Sequence, residues 1–253
     1  MTARAAILIV GNEILSGRTQ DVNIQFIADR LNLRGIKLAE VRVVRDEEAA
    51  VVNAVRALSE TYDYVFSTGG IGPTHDDITA ECMAKAFGVK LEINPEAKQR
   101  LADYYAPKGI GLNEGRLRMA RIPDGASLID NPVSAAPGFK IKNVFVMAGV
   151  PKIMQAMFLK IEPSLAHGVP MLSNTVTGAL REGDIAIEME NIQKQYPDVE
   201  IGSYPISING DPSLSLVLRS IDEKKLKDAT DKILAMVKPF DADAVVTYQR
   251  PPV

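Results

Sequence analysis

STGGIGPTHDDITAE, residues 67–81, follows the apolar run Tyr64-Val65-Phe66. An apolar run that leaves through three glycines into a helical pattern is the strand–loop–helix unit of an α/β protein. Glycines there permit positive φ and close approach of a ligand to the backbone. The following helix start supplies unpaired N–H groups and a positive dipole end, which suits an anion such as phosphate. Asp76 and Asp77 would repel that anion unless a cation lies between. No lysine stands at the P-loop position, and the glycine spacing is not that of a dinucleotide fingerprint. Thr74 and Asp77 are also spaced like a capping box with Asp in place of Glu. Capping accounts for Asp77 alone and leaves Asp76 and the glycines without a purpose.

On either side of this stretch, strand and helix patterns alternate. Ala5–Val10, Leu38–Val44 and Tyr64–Ser67 read as strands. Residues 21–34 read as a helix stopped by Gly35, and Asp46 as the cap of a helix running through Ser59. The helix after the glycine loop spans about 77–87 and stops at Gly88, and Asn94-Pro95-Glu96 opens another through Tyr105. Ser127–Ile129 and Lys140–Met147 read as strands and Val150–Glu162 as a helix. Alternation of this kind predicts a three-layer, mostly parallel sheet, with ligands beyond the carboxyl ends of its strands.

Pro163–Pro170 reads as a linker between a first domain, residues 1–165, and a second, residues 171–253. In the second, Thr175–Leu180, Asp184–Gln195, Val199–Ser207, Leu214–Ile221, Glu223–Val237 and Ala244–Tyr248 follow the order β-α-β-β-α-β. Asn209-Gly210-Asp211-Pro212 joins its middle strands. That order predicts a small α+β module of ferredoxin-like type.

The 253 residues carry 46% apolar and 24% charged residues and a formal charge of −3, with no basic run. Nucleic acid is therefore not expected as a partner. The single cysteine, Cys82, allows no internal disulfide and sits where a small buried apolar residue is expected. With no signal-peptide layout and no span long enough for a bilayer, a cytoplasmic protein without membrane attachment is expected. The two histidines, His75 and His167, share no ligand spacing, which argues against a His/Cys zinc site. His75 has no evident orienting partner and reads as an exposed loop residue. Met147, Met154 and Met157 read as core.

The hard oxygen ligands Asp76 and Asp77 suit a cation shared with substrate phosphates. Adjacent residues on a helix diverge, so one can hold metal while the other caps. Glu13, just after the first strand, is either an exposed loop acid or a third member of that site. Asp21 and Asn23 are caps or ligand contacts. The small-residue stretch Asn131–Phe139 is either a hairpin connection or a wall of the same pocket.

Four segments together resemble the N-terminal domain of the CinA competence/damage-inducible family. They are Gly11-Asn12-Glu13-Ile14-Leu15-Ser16-Gly17, the STGGIGPTHDDITAE stretch, the Asn131–Gly138 loop and Ala148-Gly149-Val150-Pro151. That domain is of the molybdopterin-binding, MoCF biosynthesis type. The resemblance covers about residues 4–165 strongly and the second domain more weakly. It implies metal-dependent hydrolysis of ADP-ribose or FAD. Adenylylation of molybdopterin is the alternative, and non-catalytic binding of a nucleotide or pterin a third.

Carried over by position, Gly69, Gly70, Gly72 and Thr74 would bind phosphate. Asp76 and Asp77 would be catalytic, and Glu13, Asp76 and Asp77 would hold magnesium, manganese or cobalt. Asn23, Ser134 and Gly138 would contact ligand. The partner implied is a nucleotide-containing small molecule, and the assembly a homo-oligomer, dimer or trimer. CinA proteins often continue into an amidase domain; this sequence stops at Val253 before one, so amidase activity is not expected of it. It also departs from the family in having Val22 before Asn23, and in lacking a glutamate after Ala148-Gly149-Val150-Pro151, so that last loop is not expected to bind metal.

Overall fold

A computed structural model describes residues 2–208 and 210–249. The chain divides into two compact units, residues 1–168 and 169–253.

In the first unit the elements run β1 (Arg4–Val10), α1 (Asn12–Leu15), α2 (Asn23–Leu33), β2 (Lys37–Val44), α3 (Glu48–Thr61), β3 (Tyr64–Thr68) and α4 (Thr79–Phe87). They continue with β4 (Leu91–Ile93), α5 (Pro95–Tyr105), α6 (Glu114–Arg118), β5 (Arg121–Pro123), β6 (Ser127–Ile129), β7 (Gly138–Ile141), β8 (Val144–Met147) and α7 (Pro151–Ile161). The main sheet has the order β2-β1-β3-β8-β7-β6. Its first four strands are parallel, and β7 runs antiparallel to both neighbours. This is the three-layer, mostly parallel sheet expected, with an antiparallel edge.

The strand period of two builds the layers. Along β1, Ala6, Leu8 and Val10 pack under Val51, Val55 and Leu58 of α3 and Met83 of α4. Ala5, Ile7 and Ile9 pack on the other face under Ile27 and Leu31 of α2 and Met154, Met157 and Phe158 of α7. A strand buried on both faces cannot show alternation, so β1 reads as one apolar run. Phe66 anchors the second layer, with ring centroids 5.4 Å from Phe145 and 5.3 Å from Phe158.

Several boundaries differ from expectation. Lys140–Met147 is a hairpin rather than one strand, because Lys142 turns the chain at φ 50°. The helix after the glycine loop begins at Thr79, two residues later than expected. Asp46 does not cap α3; its Oδ2 accepts from the Asn12 amide at 2.8 Å and so fixes the start of α1. Asp21 lies ahead of α2 and accepts from the Ile24 amide at 2.8 Å, a capping contact. The short β4–β5 ladder, α1 and α6 carry too few residues to declare a period.

The second unit runs β9 (Leu172–Gly178), α8 (Glu182–Gln195), β10 (Glu200–Ile208), β11 (Asp211–Ser220), α9 (Glu223–Val237) and β12 (Val245–Gln249). Its sheet is antiparallel with the order β10-β11-β9-β12, the ferredoxin-like arrangement expected. Asn209, expected in the turn after β10, lies outside the described residues. Among the described residues, no helix is long and apolar enough to cross a membrane.

Candidate active site

In the first unit β1 has β2 on one side and β3 on the other, so the chain changes winding direction between β1 and β3. Ligand sites of α/β sheets lie at the carboxyl edge beside such a switch point. A cleft of about 510 Å³ opens there. Glu13 and Thr19 reach it from the segment after β1, Gly69–Pro73 and Asp77 from the loop after β3, and Ala148–Pro151 and Ile153 from the start of α7. Asn131, Ser134 and Ala136 close it from the β6–β7 connection. That connection is thus both a hairpin link and a wall.

Two of the loop glycines are needed by the protein itself. A Cβ on Gly69, at φ 98°, would lie 2.2 Å from the Val10 carbonyl oxygen, and one on Gly70, at φ 66°, 2.2 Å from Thr79 Oγ1. The Gly69 amide is taken by the Met147 carbonyl at 3.1 Å, so this glycine does not cradle phosphate as expected. Among the described residues, no protein acceptor takes the amides of Gly70, Ile71 or Gly72. Those of Gly149 and Val150, just ahead of α7, are likewise unclaimed. Two runs of unpaired N–H groups therefore line one cleft, the usual makings of an anion site.

Thr74 does not line the cleft. Its amide and hydroxyl both donate to Asp77 Oδ2, at 2.8 and 2.5 Å. The capping-box spacing has closed a turn rather than begun a helix. Arg118 holds the same turn through the Thr74 carbonyl at 3.1 Å. Asp77 lies over Gly72, where a Cβ would meet its carboxylate at 2.6 Å; Glu13 lies over Gly11 in the same way, at 2.6 Å. Each acid has a glycine beneath it that makes room.

Asp76 is separated from Asp77. It stays outside the cleft with a 65% exposed side chain beside His75, itself 94% exposed. Glu13, Asp76 and Asp77 do not converge, and among the described residues no three His, Cys, Asp or Glu side chains form a metal cluster. Only Glu13 and Asp77 share the cleft, and no lysine or arginine lines it.

Ser134 is in place. Asn131 organises its loop: Oδ1 accepts from the Val133 and Ser134 amides, and Nδ2 donates to Ser134 Oγ and the Ala136 carbonyl. With its oxygen accepting, the Ser134 hydroxyl keeps its own proton for a ligand. Ala135 sits in the left-handed region at φ 62°. Gly138, expected as a ligand contact, is instead a packing position; a Cβ there would meet the Val146 carbonyl at 2.2 Å. Asn23 is buried, and its Nδ2 donates to the Gly149 carbonyl at 2.8 Å. Asn131 and Gly149 lie in segments the sequence marked, but their own roles did not show there; side chain–backbone ties across a loop leave no spacing signature.

The chain's similarities agree with this architecture. A family described as "probable molybdopterin binding domain" matches residues 6–167, and one described as "FAD synthase, middle domain" matches residues 170–246. The second module therefore resembles part of FAD synthase rather than an amidase. A protein of Pyrobaculum aerophilum is 34% identical over 94% of this chain and 96% of its own. One of Thermoplasma acidophilum is 32% identical over 89% and 92%. The crystal structure of the protein CinA of unknown function from Thermoplasma acidophilum is 38% identical, covers 64% of this chain and 98% of its own, and superposes with a TM-score of 0.59.

Proposed function

This chain belongs to the family of probable molybdopterin-binding domains, and within that family we propose that it is a metal-dependent pyrophosphatase of nucleotide diphosphate esters such as ADP-ribose or FAD. The observation that carries this is the composition of the cleft. Unclaimed amides call for phosphate, while Glu13 and Asp77 line the same cleft and would repel it; Arg118 and Arg121 line the smaller neighbouring pocket that also holds Asp77, not this cleft. A cation reconciles the two, and the donor set fits a hard one: Asp77 Oδ1 accepts no protein hydrogen bond among the described residues and is left to it.

A bound divalent cation would supply Lewis-acid polarisation of the phosphoryl oxygens and an acidified water. Asp77 Oδ1 would hold that charge, and the Glu13 carboxylate lines the same cleft. The amides of Gly70, Ile71 and Gly72 and the Ser134 hydroxyl bind the phosphoryl oxygens and stabilise their growing charge. Water attacks one phosphorus and a new P–O bond forms. The bridging P–O bond breaks, its oxygen leaves with the second phosphate, and the proton of the water passes to solvent. Asp76, outside the cleft, takes no part.

The match of residues 170–246 to the middle domain of FAD synthase favours a flavin or adenine nucleotide. The family description favours a second reading, in which a molybdopterin phosphate replaces water as nucleophile, attacks the α-phosphorus of ATP and takes the adenylyl group as pyrophosphate leaves. Chromatography of the full chain incubated with ADP-ribose, FAD, or ATP plus molybdopterin, with and without magnesium, manganese or cobalt, separates them. Metal-dependent AMP from either of the first two supports hydrolysis. Adenylylated molybdopterin supports transfer, and no product from any of them refutes both.

A further inference from the structure

Asn23 is 3% exposed. Its Nδ2 donates to the Gly149 carbonyl at 2.8 Å, which fixes the orientation of the amide because only the nitrogen can donate there. Its Oδ1 is then buried without a hydrogen-bond partner. A buried acceptor left unpaired is costly and marks a place where another group belongs.

Asn23 lines a side compartment of about 60 Å³ that shares Glu13, Thr19, Gly69 and Gly149 with the main cleft. Among the described residues, no lysine, arginine or histidine lines it. Of its two carboxylates, Asp21 is committed through Oδ1 to the Ile24 amide. Its buried acceptor without a partner is the Asn23 amide oxygen; among the described residues the Glu13 carboxylate and Asp21 Oδ2 also accept nothing from the protein, and Thr19, Gln20 and Thr68 line the same space. A water-sized group needs roughly 10–15 Å³ of such space, so the compartment takes several hydroxyl-sized groups. It opens beside the amides assigned to phosphate, so its occupant has to be tethered close to a phosphoryl group. A neutral pair of adjacent O–H donors, held one ring carbon (C4′) beyond the carbon that bears the phosphate ester, is the vicinal diol of a 5′-ribonucleotide. Acidic residues serve as acceptors for ribose hydroxyls in other nucleotide sites.

We propose that Asn23 and Glu13 form a diol-binding compartment that makes the site specific for ribonucleotide over deoxynucleotide esters. This rests on the nucleotide assignment of the cleft. The test is calorimetric titration of AMP and of 2′,3′-dideoxy-AMP into the full chain in magnesium, repeated with Asn23→Ala and Glu13→Ala. The wild-type chain is expected to prefer AMP on the order of 30-fold, since hydroxyls meeting otherwise unpaired acceptors discriminate strongly. Both variants are expected to bring the ratio to within about threefold. Glu13 is exposed at its backbone position and decides the matter if Asn23→Ala does not fold. A wild-type ratio near one, no AMP binding, or a ratio unchanged in Glu13→Ala overturns the proposal. No turnover is measured, so failure of the hydrolase assignment with the AMP preference intact is a separate and recognisable result.

Discussion

Thr74 gives both its amide and its hydroxyl to one oxygen of Asp77, at 2.8 and 2.5 Å, and leaves the other oxygen without a protein donor. Two adjacent acids are thereby given different tasks. Asp77 is turned into the cleft by its bonds to Thr74, and Asp76 is left at the surface. Asp77→Ala is expected to lower metal-dependent turnover on the order of a hundredfold or more, the scale of losing a transition-state charge ligand. Asp76→Ala is expected to stay within a few fold of wild type. Initial rates with ADP-ribose and FAD at saturating magnesium check this. Equal losses in the two variants would remove the distinction.

The Asn131 loop presents Ser134 through four side-chain hydrogen bonds and holds Ala135 at φ 62°. Asn131→Ala is expected to raise KM about tenfold with a smaller change in kcat, because ground-state binding by the loop is lost. Ala135→Gly removes the steric cost of a left-handed alanine, about 1 kcal/mol. It is expected to leave Tm unchanged or raise it by a few degrees.

The sequence made the sheet legible and the division of labour within the glycine loop illegible, for related reasons. Layering follows from apolar runs and helical periods, which are local. Whether Gly69 leaves room for ligand or for Val10 depends on a strand some sixty residues earlier in the chain. Likewise Asp46 has the spacing of a helix cap, yet the Asn12 amide takes its carboxylate across the parallel β1–β2 pair. Lys140–Met147 reads as one strand, yet Lys142 and Asn143 interrupt its apolar positions, and the hairpin turns there at the positive φ of Lys142. Glu13, Asp77 and Ser134 were legible as residues of the cleft wall because each lies in a segment that leaves a strand at the same sheet edge.

Gly69→Ala tests the packing role assigned to that glycine. The added Cβ would meet the Val10 carbonyl oxygen at 2.2 Å, on backbone that cannot swing away. The expected cost is several kcal/mol, read as a shift in urea midpoint. Gly17→Ala is the control: φ is also positive, at 72°, but nothing lies within 4 Å of the new Cβ. Its expected cost is only about 1 kcal/mol. Similar losses at both positions would mean that left-handed φ, and not close backbone approach, is what requires glycine in this loop.

Cys82 lies in α4 against the first core layer, and burial pushes its thiol up to about 11. At pH 8 the thiolate is then roughly one part in a thousand of the population, and the side chain is inaccessible as well. The native chain is expected to resist iodoacetamide over hours and to react within minutes in 6 M guanidinium, as followed by intact mass. The sign of the linkage follows from the same shift. The unfolded thiol ionises near its ordinary value of about 8.5, before the folded one does, so stability falls as pH rises from there towards 11 and is unaffected by this group below it. A native thiol that alkylates readily at pH 8 would show that α4 opens locally, and would also loosen the anchor that Thr79 gives the glycine loop through the Gly69 and Gly70 carbonyls.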